Sequence, residues 1–358
     1  MKIANRRTRT LLTAAVAAQA VVLTLGLSAC SRANSTPTAS SDQGPAAELR
    51  LGYFPNVTHA AALVGLDKGF FTKELGSTKL TPQSFNAGPD EVGALLGKSL
   101  DAAFIGSGPA INAFSKSDGQ DVRLIAGATS GGAQLVVANG INSPSDLIGK
   151  TVATPQLGNT QDVSLKTWLA KNNLTGKVKV ENLANPDTLS QFQKGAIQGA
   201  WLPEPWSSQL VLTGGAKVLV DESSLWPSGQ FPTTVLIVRT QFLQQHPETV
   251  QALLKGELDA INWAKANNSA AETAVNAELK QLTGKALPQA VIDRAFSKIQ
   301  LTVDPLASDF PELSKDQATA GIVSKAPSVN GFADLGLLNK ELKAANQPTV
   351  SAAGIGSN

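Results

Sequence analysis

Three short stretches hold the residues best suited to chemistry: FPNVTH at 54–59, GSGP at 106–109 and QLGNTQ at 156–161. Each mixes glycine or proline with hydroxyl, amide or imidazole side chains. Each stands where an apolar, strand-like run gives way to helical spacing, the place where open α/β sheets take ligands. A helix start offers backbone N–H groups without intrahelical partners and the positive end of the helix dipole. Ser107, Thr160 and Gln161 add side-chain donors, and Asn56 with His59 stands at the first of the three helix starts. Such a set suits an oxyanion without an arginine. A fourth stretch, LPEPW at 202–206, has Pro205 in the first turn of a helix. Glu204 there either caps the helix or reaches a ligand. Trp201 and Trp206 offer flat apolar surface to a small organic group or pack in the core. Trp168 and Trp263 fall on helices at core spacing, and His246, in QQHPE, reads as a solvated surface residue.

What is missing narrows the chemistry further. The chain has 358 residues, one cysteine (Cys30) and two histidines (His59 and His246). One cysteine forms no internal disulfide and builds no cysteine-based zinc or iron–sulfur site. HExxH is absent. GSGP is not a dinucleotide fingerprint, because Ile111 stands where GxGxxG needs its third glycine, and no GxxxxGK[ST] occurs. No cofactor and no metal are implied, and the chain does not read as an enzyme. The formal charge of +2 comes from the leader: Lys2, Arg6, Arg7 and Arg9 precede every acid, and without them the balance is slightly acidic. A basic face for nucleic acid is therefore excluded.

The elements that must position these loops alternate. Hydrophobic patterning predicts strands over 48–54, 80–85, 101–105, 122–128, 133–138, 150–154, 178–183, 199–202, 217–221 and 233–238. Helices are expected over 59–70, 89–100, 110–116, from 161 to about 172, and over 186–194 and 204–212. Beyond Thr240 the pattern is helical in pieces to about 345. Strands separated by helices of some ten residues imply parallel sheets in an α/β fold. The segments GPDEVGALLGKSLDAAFIGS at 88–107 and NPDTLSQFQKGAIQGAWLPE at 185–204 share one design. Both run from Pro-Asp through an amphipathic helix and a short apolar strand into a turn, which points to two similar lobes. The expected division is 48–135 with 239–345 as lobe one and 136–238, with hinge segments, as lobe two. Two connections between lobes make a hinge that closes on ligand.

The first 29 residues follow the export pattern: a cationic start, an apolar run over 11–27 and a small-residue end. The ending LSAC resembles a bacterial lipobox, with Cys30 as the lipidated first residue of the mature chain. Residues 30–47 are small, polar and proline-containing and read as a flexible tether. The chain is thus expected to be lipid-anchored on the extracytoplasmic face of the cell membrane.

The loops together resemble the substrate-binding proteins of ABC importers for nitrate, taurine and aliphatic sulfonates. LRLGYFPNVTHAAALVGLDKGFF (50–71), DAAFIGSGPAINAF (101–114), DLIGKTVATPQLGNTQDVSLKTWL (146–169), GAWLPEPWSSQL (199–210) and FPTTVLIVRTQFLQQHPE (231–248) carry the resemblance. It implies a two-lobed type-II periplasmic-binding-protein fold with hinge strands and a helical C-terminal region. It also implies ligand contacts from Asn56 and His59, from Ser107 and Gly108, from Gly158, Asn159, Thr160 and Gln161, and from Glu204 and Trp206. The implied ligand is a small organic anion, an aliphatic sulfonate or taurine. Nitrate, bicarbonate and a thiamine-pyrimidine precursor are the alternatives, and a pyrimidine-synthase type of enzyme is disfavoured because the cysteine-rich stretch of that family is absent. The implied partners are an ABC permease with its ATPase, and the receptor is expected to be monomeric.

Overall fold

The computed structural model describes residues 42–226 and 228–356. The leader, Cys30 and the tether as far as residue 41 lie outside the described residues. Residues 43–46 are tied down rather than free. Gln43 N–H donates to the Gln245 carbonyl at 2.8 Å and Ala46 N–H to the Thr249 hydroxyl at 2.8 Å. His246 is accordingly half-buried, its Nδ1 2.8 Å from the Gly44 carbonyl, instead of standing in solvent.

The chain opens with β1 (Glu48–Tyr53), then α1 (Ala60–Asp67) and α2 (Phe70–Leu75). The helix expected over 59–70 with its glycine stop is α1, which ends ahead of Gly69 at φ +70; α2 beyond it was not expected. Next come β2 (Lys79–Ser84), α3 (Gly88–Leu96), β3 (Ala102–Gly106), α4 (Ser107–Lys116) and β4 (Val122–Gly131). The chain then crosses to a second sheet: β5 (Ala133–Val137), β6 (Thr151–Thr154), α5 (Thr160–Lys171), β7 (Lys179–Asn182), α6 (Asn185–Gln193), β8 (Gly199–Pro203), α7 (Trp206–Gly214) and β9 (Lys217–Asp221). It returns through residues 222–231 to β10 (Pro232–Arg239), followed by α8 (Thr240–Gln245), α9 (Pro247–Ala266), α10 (Asn268–Thr283) and α11 (Gln289–Phe296). A three-residue strand, β11 (Ile299–Leu301), then α12 (Phe310–Thr319) and α13 (Gly336–Ala344) complete it. The helical reading of the tail missed β11, which is too short to show periodicity and forms by pairing antiparallel with β4.

The strand orders are β11-β4-β10-β3-β1-β2 and β7-β6-β8-β5-β9. Set side by side, β2-β1-β3-β10-β4 and β7-β6-β8-β5-β9 are the same arrangement. Three strands run parallel, the next runs against them, and the last reverses again. The segments 88–107 and 185–204 occupy matching places, as α3 with β3 and α6 with β8. The expected all-parallel sheets are therefore mixed. β5 and β10 each enter a sheet directly after a crossing from the other, without a helix to bring them back to the same end, so they run antiparallel to their neighbours. This also moves the expected lobe boundaries. β10 lies inside the first sheet, so the return crossing is at 222–231 rather than at 238, and β5 opens the second sheet at Ala133.

The central strands of each sheet are buried on both faces, as helices on either side require, while the edge strands β2, β7 and β9 are more exposed. In the second sheet Val152 and Trp201 pack on one face with Leu165 and Trp168, while Ala153, Ala200 and Leu202 pack on the other with Trp206 and Leu210. The first sheet shares one continuous core with α1, α2, α9 and the helices that follow. Glycine is required at Gly52 of β1: a Cβ there would lie 2.3 Å from Oε1 of Glu91.

Candidate ligand-binding site

Loops at the carboxyl ends of strands from both sheets converge on one small cavity. From the first sheet come Phe54, Asn56, Thr58 and His59 after β1, Asn86 after β2, Gly106 at the end of β3, and Thr233 with Thr234 in β10. Asn159, Thr160, Gln161, Asn185 and Pro203 close it from the second. The lining contains no charged side chain. Its volume is about 10 Å³, roughly one water-sized sphere. The lobes are shut, and any larger ligand enters only when they part.

His59 is fully buried, and burial pushes its imidazole down to about 3, so the ring is neutral. Phe54 N–H donates to His59 Nδ1 at 3.2 Å, which leaves the proton on Nε2 of a ring lining the cavity. Thr160 and Gln161 are the first two residues of α5, so their N–H groups have no acceptor inside the helix. Gly108 N–H donates to Thr160 Oγ1 at 3.2 Å, so the Thr160 hydroxyl keeps its own proton for another acceptor. Thr234 Oγ1 and Asn185 Oδ1 line the cavity without a partner among the described residues, and Ser107 Oγ is buried unpaired beside it. Clusters of unpaired polar atoms are uncommon in a protein interior. Together these groups can hold an oxyanion by neutral donors and helix starts alone. Each helix terminus contributes ~0.3–1 kcal/mol when exposed and up to ~2 kcal/mol when partly buried.

Three further contacts fasten the two sides. Trp206 Nε1–H donates to Asn56 Oδ1 at 2.7 Å, Thr58 N–H donates to the Glu204 carbonyl at 3.3 Å, and the Gly108–Thr160 bond crosses as well. A Cβ on Gly106 would stand 2.4 Å from Thr160 Oγ1, so only glycine at 106 permits this approach.

Five of the expected contacts take other roles. Ser107 and Gly108 start α4 beside the cavity without facing into it; α4 begins at Ser107, three residues earlier than its spacing suggested. Gly158 N–H is held by Asp162 Oδ2 at 2.9 Å, and Asp162 pairs with Lys166 at 2.7 Å. Gly158, at φ +79, thus shapes the loop and does not offer its donor. The side chain of Glu204 turns away from the cavity. It is fully buried, with Oε1 3.2 Å from Arg294 Nη1 and Oε2 accepting from Ser208 N–H at 3.0 Å. Burial raises the Glu204 carboxyl pKa, while Ser208, Ser207 and Arg294 oppose that rise. Arg294, on α11, also donates to Gln134 Oε1 at 2.8 Å, so the expected ligand contact is part of a strap between β8, β5 and the C-terminal helices. Trp206 is 8% exposed and orients Asn56 without lining the cavity. Trp201 is buried edge-on against Trp168 at 6.3 Å between ring centroids.

Sequence reasoning missed Asn86, Asn185, Thr233 and Thr234. The two asparagines had a signal. Both fall between a strand end and a Pro-Asp helix start, in FNAGPD and LANPD, the repeated segments that disclosed the two lobes. The threonines had none, because their strand was not expected to start at the cleft.

Residues 42–278 match the NMT1-like family. The taurine-binding periplasmic protein of Escherichia coli (strain K12) is 34% identical over 193 residues, which are 53% of this chain and 58% of that protein. A putative aliphatic sulfonates-binding protein of Bacillus subtilis (strain 168) is 25% identical over 63% of this chain and 68% of its own length. Among solved structures, the alkanesulfonate-binding protein SsuA from Xanthomonas axonopodis pv. citri, bound to MOPS, superposes with a TM-score of 0.64 at 23% identity, over 77% of this chain and 92% of that one. At that identity the likeness is one of fold. With more than half of its residues matched, the chain belongs to the NMT1-like family.

Proposed function

We propose that this protein is the solute receptor of an ABC importer. It binds a small organic anion, an aliphatic sulfonate or taurine, between two closing lobes and hands it to a permease driven by its ATPase. The observation that carries this reading is the cavity: two sheets bring helix starts and neutral donors together around a space with no ionic side chain. A singly charged headgroup is satisfied there, whereas a multiply charged anion lacks a counter-charge. Sulfonate oxygens would accept from the Thr160 and Gln161 N–H groups, the Thr160 hydroxyl, Asn56 Nδ2 and His59 Nε2. Opening of the hinge breaks the Trp206–Asn56, Thr58–Glu204 and Gly108–Thr160 bonds together and frees the ligand. The relationship to the taurine-binding protein supports the choice of headgroup.

The small volume of the closed cavity favours a second reading, a compact anion such as nitrate or bicarbonate. Thermal melting against taurine, butanesulfonate, octanesulfonate, nitrate and bicarbonate separates the two. A ligand at ~100-fold its Kd adds ~2.7 kcal/mol of stability. Shifts with sulfonates support the first reading, and shifts with nitrate or bicarbonate alone support the second.

Attachment completes the proposal. The lipobox ending at Cys30 would fix the receptor to the extracytoplasmic face of the membrane through an N-terminal lipid. No helix among the described residues is long and apolar enough to cross a membrane.

A further inference from the structure

A second and much larger cavity, of about 800 Å³, lies beyond the anion site. Its walls are α5, the 3-10 turn Glu222–Leu225 in the return crossing, the turn Ala307–Asp309 and α12. It shares no lining residue with the small cavity: Thr160 and Gln161 face the one, Ser164 and Trp168 the other. Volumes of this size are typical of sites for small organic molecules.

Its chemistry is opposite to that of the anion site. Glu222, Asp309, Glu312 and Asp316 line it against a single base, Lys171. Lys171 reaches Asp316 at 3.7 Å from an exposed position, and Glu312 pairs with Lys315 at 3.0 Å at the surface. Glu222 is 1% exposed, and neither of its carboxyl oxygens has a partner among the described residues; Asp309 Oδ2 is likewise unpaired. The Ser164 hydroxyl beside Glu222 gives its proton to the Thr160 carbonyl at 3.0 Å. Two indoles, Trp168 and Trp226, complete the lining. A buried acid without a counter-charge is costly to ionise, and this one faces a space large enough to hold a cation that would let it ionise. The acids do not converge as metal ligands would, and no metal-binding cluster exists among the described residues. Carboxylates with indole faces match an organic ammonium, held by charge at one end and by cation–π and apolar contact along its body.

We propose that this cavity is a binding site for a small organic ammonium ion, with Glu222 and Asp309 as counter-charges and Trp168 and Trp226 as its apolar walls. The ligand bridges the lobes. α5 belongs to the second sheet, α12 packs against both α4 and α5, and Thr167 Oγ1–H donates to the Asp316 carbonyl across the same seam at 3.3 Å. Burial pushes the Glu222 carboxyl up to about 8, with Asp221 and Asp316 adding to the rise, while Ser164 and Trp201 oppose it. Asp316 itself is raised to about 6, mainly by burial, with Lys171 opposing. A cation entering near neutral pH therefore displaces a proton from Glu222, and binding tightens as pH rises from 6 to 9.

The test titrates phenethylamine into the whole protein, followed by tryptophan fluorescence and calorimetry, with uncharged 2-phenylethanol as control. Saturable binding of the amine is expected, at least fivefold tighter at pH 9 than at pH 6, at least tenfold weaker in Glu222→Gln, and not weakened by saturating taurine, which favours the same closed state. Asp309→Asn, at a half-exposed position, serves if Glu222→Gln fails to fold. The proposal is overturned if the amine does not saturate, if the alcohol binds equally well, if taurine competes with it, or if the folded carboxyl variants bind it unchanged.

Discussion

The Trp206 indole N–H and the Asn56 side-chain oxygen, 150 residues apart in sequence, meet at 2.7 Å across the gap between the two sheets. This one bond joins the start of α7 to the loop after β1. It also decides which face of the Asn56 amide is left for a ligand: the oxygen is occupied and the two Nδ2 protons remain.

Replacing Trp206 with phenylalanine keeps a ring in the same packing and removes the donor. A buried hydrogen bond of this kind contributes about 0.5–1.5 kcal/mol. Trp206→Phe is therefore expected to weaken ligand binding roughly two- to tenfold in calorimetry, with little change in the melting temperature of the unliganded protein. Unchanged affinity would mean that the bond neither orients Asn56 nor favours closure.

Gly106 gives a sharper test of closure. Its backbone, at φ −65 and ψ 148, is one that alanine adopts without strain. The added methyl group meets only Thr160 of the opposite lobe, at 2.4 Å, before it touches anything of its own lobe that close. Gly106→Ala should fold normally and bind ligand at least tenfold more weakly, and small-angle scattering should no longer show compaction on ligand addition. Wild-type affinity in this variant would contradict the closed arrangement of the loops.

Stability should carry its own pH signature. Glu257 is fully buried with both carboxyl oxygens unpaired, and burial raises its pKa well above the usual carboxylate value. A group raised in the folded state contributes its full stability below the unfolded value of about 4.5. That contribution is lost as pH climbs toward the folded value. Glu257→Leu should accordingly raise stability by about 1–3 kcal/mol at pH 8, the usual cost of an unsatisfied buried polar group, and by clearly less at pH 4. Denaturant melts at the two pH values check this, and an equal effect at both would show that Glu257 is not protonated on folding.

The tether makes a separate prediction. Cys30→Ser is expected to release the protein from the membrane fraction while leaving ligand affinity intact. A variant that stays with the membranes would exclude Cys30 as the point of attachment.

Much of this architecture was legible in the chain. The glycine and hydroxyl loops announced themselves because strand ends followed by helix starts carry a compositional mark, and Asn56, His59, Thr160 and Gln161 do meet at one cavity. The repeated Pro-Asp segments foretold two sheets of matching order. Pairings across long separations left no such mark. Glu204 has the type and position of a ligand contact, and only Arg294, 90 residues later, turns its carboxylate away. The direction of β5 and β10 was hidden for the same reason, since patterning reveals that a strand exists but not where its chain comes from. β11 is defined wholly by its partner β4. Glu222, in an unremarkable turn, gained its meaning from a helix some ninety residues downstream.

The central claim is that the neutral cavity between the sheets binds a sulfonate through Thr160, the start of α5 and Asn56. Calorimetric titration of taurine and butanesulfonate into the wild-type protein and into Asn56→Ala/Thr160→Ala tests it most directly. The account predicts saturable one-to-one binding that weakens by about 1–3 kcal/mol in the double variant, through loss of charge-assisted donors. No saturable binding of either sulfonate, or equal affinity in the two proteins, would contradict it.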